Sequence, residues 1–341
     1  MNTNQVIGII LILSLPVLIT LFGPDRDKPD NPATIQVTDF RNKEIRLAKP
    51  ASRIVCLIES GLSGLYMLGA ENQVVGVPSA VYNESVSAQY AAMDERIKNK
   101  ELPAPGNWDF VSIENIVALQ PDLVIIWSSQ TESIQLIEAH GIPVYAVFLQ
   151  SFEDVYKEIK DFGALTGKVE RADSLINYTK NEIRQLKSMQ PASTKKRQSV
   201  YFMWNQGLLA TAGTSSTVNE LLELAGARNA CTVDQEHVVI NKEMLFDWNP
   251  DMIVMWYNPA KNPEDILGIS DIQKLKAIEN KQVYELPSVF LCDLWTLKFP
   301  YAIKMLAKWS YPTSYAHLNL EEEKQKMLFE LYGQKGKNIA P

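Results

Sequence analysis

The sequence predicts an α/β protein of two similar βαβ lobes facing each other across a ligand cleft. Three observations carry this. The pattern E-x6-P-D-(apolar)4-W occurs twice, as Glu114…Pro121-Asp122-Leu123-Val124-Ile125-Ile126-Trp127 and as Glu243…Pro250-Asp251-Met252-Ile253-Val254-Met255-Trp256. A second echo, Leu65-x-x-Leu68-Gly69-Ala70-x-Asn72, returns as Leu222-x-x-Ala225-Gly226-Ala227-x-Asn229. Short, continuously apolar runs alternate with helical segments, as in parallel sheets covered on both faces. The two echoes have different offsets, so the lobes differ by an insertion of about 28 residues, placed at Ser79–Pro105.

The elements follow in order. Ile35–Leu47 alternates like a short hairpin, and Arg53–Ile58 reads as a buried strand. Gly61–Leu68 is a helix stopped by Gly69, Val74–Val77 the next strand, and Ser79–Pro105 loop-rich. Ser112 caps a helix to about Leu119 that Pro121 closes; Leu123–Ile126 is a strand, Thr131–Ala139 a helix, Val144–Phe148 a strand. A long helical stretch runs from Ser151 to about Met189, with a break near Gly163–Gly167, and a polar basic loop follows at Gln190–Arg197. The second lobe restarts at the Ser199–Met203 strand. Thr217-x-x-Glu220 reads as a capping box for a helix to Ala225. Asn241–Trp248 is a helix, Met252–Met255 and Val283–Leu286 are strands, and Pro300–Trp309 and Asn319–Tyr332 are helices. The organisation is residues 34–150 for the first lobe, 151–190 for the connection and 191–341 for the second lobe.

Composition bounds the function. The 341 residues suffice for two domains, and 46% hydrophobic with 21% charged residues is a globular composition. A net charge of −7 argues against nucleic acid, which needs clustered Lys and Arg. Val6–Phe22 is an apolar run, so residues 1–23 read equally as a signal peptide or a membrane anchor, followed by a linker at 24–33. Either sends the remainder out of the cytoplasm. Cys56, Cys231 and Cys292 form no CxxC pair; in an oxidising compartment Cys231 and Cys292 could pair, with Cys56 buried in a strand. His140, His237 and His317 show no metal-ligand spacing, and His237 alone lies where a site could be. Phosphate loops, GxGxxG, GxSxG and HExxH are absent, which weakens an enzyme reading. Gly213-Thr214-Ser215-Ser216-Thr217 could cradle an anion, but helix capping already accounts for it.

In open parallel sheets, ligands bind beyond the carboxyl ends of the strands. Those ends offer Glu59 and Ser60, then Trp127, Ser128 and Ser129, with Trp108 in a neighbouring loop. The second lobe offers Trp204 and Asn205, Trp256 and Tyr257, and the Val289–Trp295 loop with Cys292 and Trp295. Five of the seven Trp residues fall at such positions. An indole there wants a partner surface, either its own lobe's core or a ligand. Trp248 and Trp309 sit in apolar helical patterns and read as core. Glu114 and Glu243 begin equivalent helices, where a carboxylate favours the helix dipole.

Arg53-Ile54-Val55-Cys56-Leu57, Gly69-Ala70…Val75-Gly76-Val77 and Ser112–Trp127 resemble the helix-linked two-lobe substrate-binding proteins of ABC importers for iron–siderophore, haem, cobalamin and molybdate. The likeness spans about Ile35 to Gly333, and Trp108–Trp127 is especially similar to vitamin B12-binding members; Cys292–Pro312 instead resembles an iron or molybdate uptake branch. The resemblance implies two Rossmann-like lobes joined by a long rigid helix. It implies Trp side chains lining the cleft and Glu114 and Glu243 docking on permease arginines. The leading expectation is an exported, monomeric, non-enzymatic receptor. It needs no cofactor and passes a metal chelate to a permease dimer with its ATPase. The alternatives are a molybdate or tungstate receptor using Ser60, Ser128 and Ser129, and a membrane-anchored sensor or enzyme on the same frame.

Overall fold

The computed structural model describes residues 34–83, 85–190 and 197–339. The apolar run and linker expected at 1–33 lie outside the described residues, as does most of the 190–197 loop. Among the described residues twelve strands occur: β1 (Ile35–Thr38), β2 (Glu44–Leu47), β3 (Ile54–Cys56), β4 (Val74–Gly76), β5 (Leu123–Trp127), β6 (Val144–Val147), β7 (Ser199–Met203), β8 (Ala210–Ala212), β9 (Arg228–Asn229), β10 (His237–Val239), β11 (Met252–Met255) and β12 (Val283–Glu285). β1 and β2 form the expected antiparallel hairpin. Two four-stranded parallel sheets follow, ordered β4-β3-β5-β6 and β12-β11-β7-β9. Read from β4 and from β9, the sheets have the same order, so the sequence duplication is a structural one.

The repeated Pro-Asp has a physical task in each lobe. The Asp122 carboxylate accepts hydrogen bonds from the backbone N–H of Ser52 and Arg53, at 2.8 and 2.9 Å. The Asp251 carboxylate accepts from Ser199 N–H at 3.0 Å. Each Asp thus fixes the start of the neighbouring strand. The residue before each Pro-Asp is left-handed, Gln120 at φ 46° and Asn249 at φ 39°, which turns the chain from helix to strand.

Strand side chains alternate between two faces. Val55, Val124, Ile126 and Val144 point into a core private to the first lobe, and Tyr201, Met203, Ile253 and Met255 into one private to the second. The other faces, Ile54, Cys56, Leu123 and Ile125 with Val200, Phe202, Met252 and Val254, belong to one continuous core. Helices Phe152–Thr166, Val169–Ser188, Phe299–Ser310 and Leu320–Tyr332 contribute to it. The connecting stretch is therefore two helices, broken at Gly167 (φ 72°) and Lys168. Gly163 lets them cross closely, since a Cβ there would lie 2.5 Å from the Ala172 Cβ.

Three local expectations are corrected. Ser79–Pro105 is not loop-rich but holds short helices at Ala80–Asn83, Ser87–Met93 and Glu95–Lys98. They are supported by burial of Tyr90 and by the Asp94 cap, whose carboxylate accepts from Arg96 N–H at 2.9 Å. The cap of the Thr217–Leu224 helix is Ser216, one residue earlier than expected, and Glu220 instead accepts from Phe152 N–H at 3.0 Å. Cys231 and Cys292 are unbonded thiols in different cores. Among the described residues no helix is long and apolar enough to cross a membrane.

Candidate functional site

The carboxyl ends of β3 and β5 open onto a cavity of about 270 Å³ that the Val289–Trp295 loop closes from the second lobe. Of the residues expected at the site, Glu59, Ser60, Trp108, Trp127 and Trp295 line it. Glu59 begins the Glu59–Met67 helix directly after β3, and the buried Tyr90 hydroxyl donates to its carboxylate at 2.6 Å. Trp127 ends β5 half-buried. Trp108 is 66% exposed, on a loop that Asn107 organises. The Asn107 side chain accepts from Asp109 and Phe110 N–H, and its carbonyl accepts from Gln130 at 2.9 Å, fixing the loop beside the end of β5. Such an indole is free to meet a ligand.

The remaining expected residues lie behind or beside the cavity. Trp256 packs against Trp295, with ring centroids 6.2 Å apart, and Trp204 against Trp256 at 5.5 Å. Both are buried in the shared core, so they back the wall rather than face the space. His237 sits at the outer end of this row, 5.3 Å from Trp204. Cys292 is wholly buried with its Sγ 3.9 Å from Met305 Sδ, and burial pushes its thiol far up, so it stays protonated away from the cavity. Ser128 is spent on the sheet, its N–H donating to the Val147 carbonyl; Asn205 is exposed and its carbonyl accepts from Asn258; Tyr257 is half-buried. None of these three lines the space.

Sequence reasoning missed Asp293, which lies between Cys292 and Leu294 on the cavity floor. The available signal was an acidic residue inside the apolar run Val289–Leu297. Its Oδ1 accepts from Trp295 N–H at 2.9 Å, while its buried Oδ2 accepts no hydrogen bond. The nearest cation is the buried Lys298, whose Nζ is 4.0 Å from Oδ2 and 3.2 Å from Ser63 Oγ. Burial lowers Lys298 and raises Asp293 from their ordinary values, each partly offsetting the other. The Ser60 hydroxyl, also buried at the cavity, has no partner either.

A larger hollow of about 540 Å³ lies between Met67 and Lys335, away from the strand ends. Its polar groups already serve the fold: Arg171 donates to the carbonyls of Met67, Glu330 and Leu331, and Lys335 pairs with Glu71. The strand-end cavity, with its unpartnered groups and indoles, is the candidate ligand site.

Glu114 and Glu243 are both exposed in the first turns of helices Ile113–Ala118 and Lys242–Trp248. Ser112 and Asn241 cap those helices, accepting from Asn115 N–H at 3.4 Å and Met244 N–H at 2.9 Å.

Known proteins share this plan. An uncharacterised ABC transporter substrate-binding lipoprotein of Bacillus subtilis, YvrC, is 26% identical over 89% of this chain and 96% of its own. The molybdate-binding protein MolA of Haemophilus influenzae is 24% identical over 84% of this chain and 87% of its own. Its molybdate-bound structure superposes with a TM-score of 0.75 at 21% identity, covering 87% and 97% of the two chains. A periplasmic solute-binding protein of Veillonella parvula superposes with a TM-score of 0.70 at 20% identity, covering 90% and 96%. The family model described as periplasmic binding protein matches residues 54–290, which is most of the chain, and the protein belongs to that family.

Proposed function

We propose that the protein is the extracytoplasmic capture subunit of an ABC importer. It holds a metal chelate between its lobes, residues 34–150 and 191–341, and hands it to the permease and its ATPase. The observation that carries this reading is the strand-end cavity, where Trp108, Trp127 and Trp295 meet Glu59, Ser60 and Asp293 from both sides of the cleft. Indole faces suit a bulky, partly apolar complex, and a few polar groups fix its orientation. Trp204 and Trp256 hold Trp295 in place from behind, and Glu114 and Glu243 are the docking carboxylates, one per lobe. The protein acts as a monomer and by binding, with no turnover of its ligand.

Trp fluorescence titrated with a panel of iron(III)–siderophore complexes, corrinoids, haem and the oxyanions molybdate and tungstate tests this. At least one chelate should perturb emission saturably, and Trp127→Ala should weaken it by roughly tenfold or more, as loss of a buried aromatic anchor does. Saturable binding of the oxyanions with no response to any chelate would sink the reading in favour of an oxyanion receptor. Elemental and mass analysis of the purified protein identifies whatever ligand it retains.

A further inference from the structure

We infer that the floor of the cleft selects for positive charge: Asp293 receives a cationic or hydrogen-bond-donating group of the chelate, and the site disfavours a bare oxyanion. The inference rests on the capture reading above and adds the charge class of the ligand.

The argument starts from an unmet acceptor. Asp293 is 2% exposed and lines the cavity, yet its Oδ2 accepts no hydrogen bond. Buried polar atoms in folded proteins nearly always have a partner, so an exception on a residue that lines a cavity points to a ligand's donor as the missing partner. Lys298 does not fill that role. Its Nζ lies beyond hydrogen-bond reach at 4.0 Å, is within reach of Ser63 Oγ and sits 3.8 Å from the centre of the Phe290 ring.

The surrounding charge points the same way. Two carboxylates, Glu59 and Asp293, line the cavity, and among the described residues no Lys, Arg or His does. Glu158, buried behind with one carboxylate oxygen unpartnered, is pushed well above the usual carboxylate range by burial and brings no positive charge to the floor. The three indoles present electron-rich faces that attract cations. An oxyanion would meet the Ser60 hydroxyl and the uncapped first turn of the Glu59–Met67 helix, but against two carboxylates. A cation meets an open acceptor and aromatic walls.

The groups facing Asp293 are Lys298, Glu59, Glu158, Tyr332 and the Cys292 thiol. Burial holds the Asp293 carboxyl above its ordinary range, and Lys298 opposes this. A cation bound at Oδ2 favours the ionised form further, so binding should release a proton from Asp293.

Substitution-inert cobalt(III) complexes separate charge from size. The probes are the tris(ethylenediamine) cation, the neutral tris(acetylacetonate) and the tris(oxalate) anion, with molybdate alongside, titrated calorimetrically into the full chain in buffers of differing ionisation enthalpy. The cation should bind at least about tenfold tighter than the neutral complex, with the anion and molybdate weaker still. Asp293→Asn keeps the acceptor for Trp295 N–H. It should erase most of the cation's advantage and abolish the proton release, and its thermal midpoint should fall because the buried Lys298 loses its counter-charge, so binding is compared well below that midpoint. Should Asp293→Asn not fold, the charge series and proton release of the parent decide alone. Preference for the oxalate complex or molybdate, or an unchanged preference in Asp293→Asn, overturns the inference and leaves the capture reading standing. Failure of every complex to bind, whatever its charge, counts against both.

Discussion

Glu182 shows how a single buried charge is made tolerable and what that implies for pH. It is 4% exposed, and Lys326 donates to its Oε1 at 2.8 Å while the buried Lys304 donates to Oε2 and also to Glu323. Burial alone would raise the Glu182 carboxyl, but the two lysines outweigh it and hold it below the usual carboxylate range. A carboxylate depressed in the folded state contributes stability above its unfolded pKa, about 4.3, and loses it as pH falls through the folded value. The thermal midpoint should therefore drop on acidification below about pH 4. Lys304→Met removes the more buried partner and should cost about 3–5 kcal/mol at neutral pH by urea denaturation, because a buried carboxylate is left underpaired. It should also flatten this acid dependence. Sequence could not reveal this residue's role, since Glu182 looks like any polar position on a long helix; its partners lie 122 and 144 residues away. Trp127 and Glu59 were legible because strand ends can be read from apolar runs. Asp293 was hidden because its significance is an unfilled hydrogen bond.

Elements were legible where one strong local pattern sufficed. The continuous apolar runs locate Ser199–Met203 and Met252–Met255 to the residue, and Ser112 and Asn241 begin their helices as their side-chain chemistry dictates. The antiparallel β8–β10 pair was not legible, because its two three-residue strands are separated by a segment containing a helix and β9. The short helices after Ala80 were missed for a related reason: pieces of four to seven residues have little intrinsic helicity and form only against tertiary partners. The helical break near Gly163–Gly167 was foreseen, but the two glycines do different jobs. Gly167 takes the left-handed backbone that ends the first helix, and Gly163 gives Ala172 room at the helix crossing. Gly163→Ala should therefore destabilise by about 1–3 kcal/mol despite the higher helix propensity of Ala, because the added methyl forces the helices apart. A urea midpoint equal to or above that of the parent would show that the crossing relaxes freely.

At the scale of the molecule, the consequence of the fold is that the two lobes share a core. Phe152 stacks on Phe299 with centroids 3.8 Å apart, and Glu220 accepts from Phe152 N–H. Tyr332 of the last long helix shares a hydrogen bond of 2.6 Å with Ser63 of the first lobe. Opening the cleft widely would tear apolar contacts and strand these buried polar groups, so the frame should stay nearly rigid on binding, with backbone shifts within about 1 Å. Rigidity bears on docking. Glu114 and Glu243 ride on duplicated helices, each tied to its sheet through the adjacent Pro-Asp clamp, so the spacing between the two carboxylates is held by the shared core. A partner with two basic patches at that spacing can engage both at once, and the second contact then costs little further ordering. Reversing one carboxylate, as Glu114→Lys or Glu243→Lys, places like charges together at one contact and should reduce uptake in cells by about tenfold or more. The double reversal should abolish uptake, while calorimetric ligand affinity stays at the parent value in all three variants because neither Glu lines the cavity. Uptake unchanged in the double variant would remove the docking role; a parallel fall in ligand affinity would show instead that the substitutions disturb the cleft.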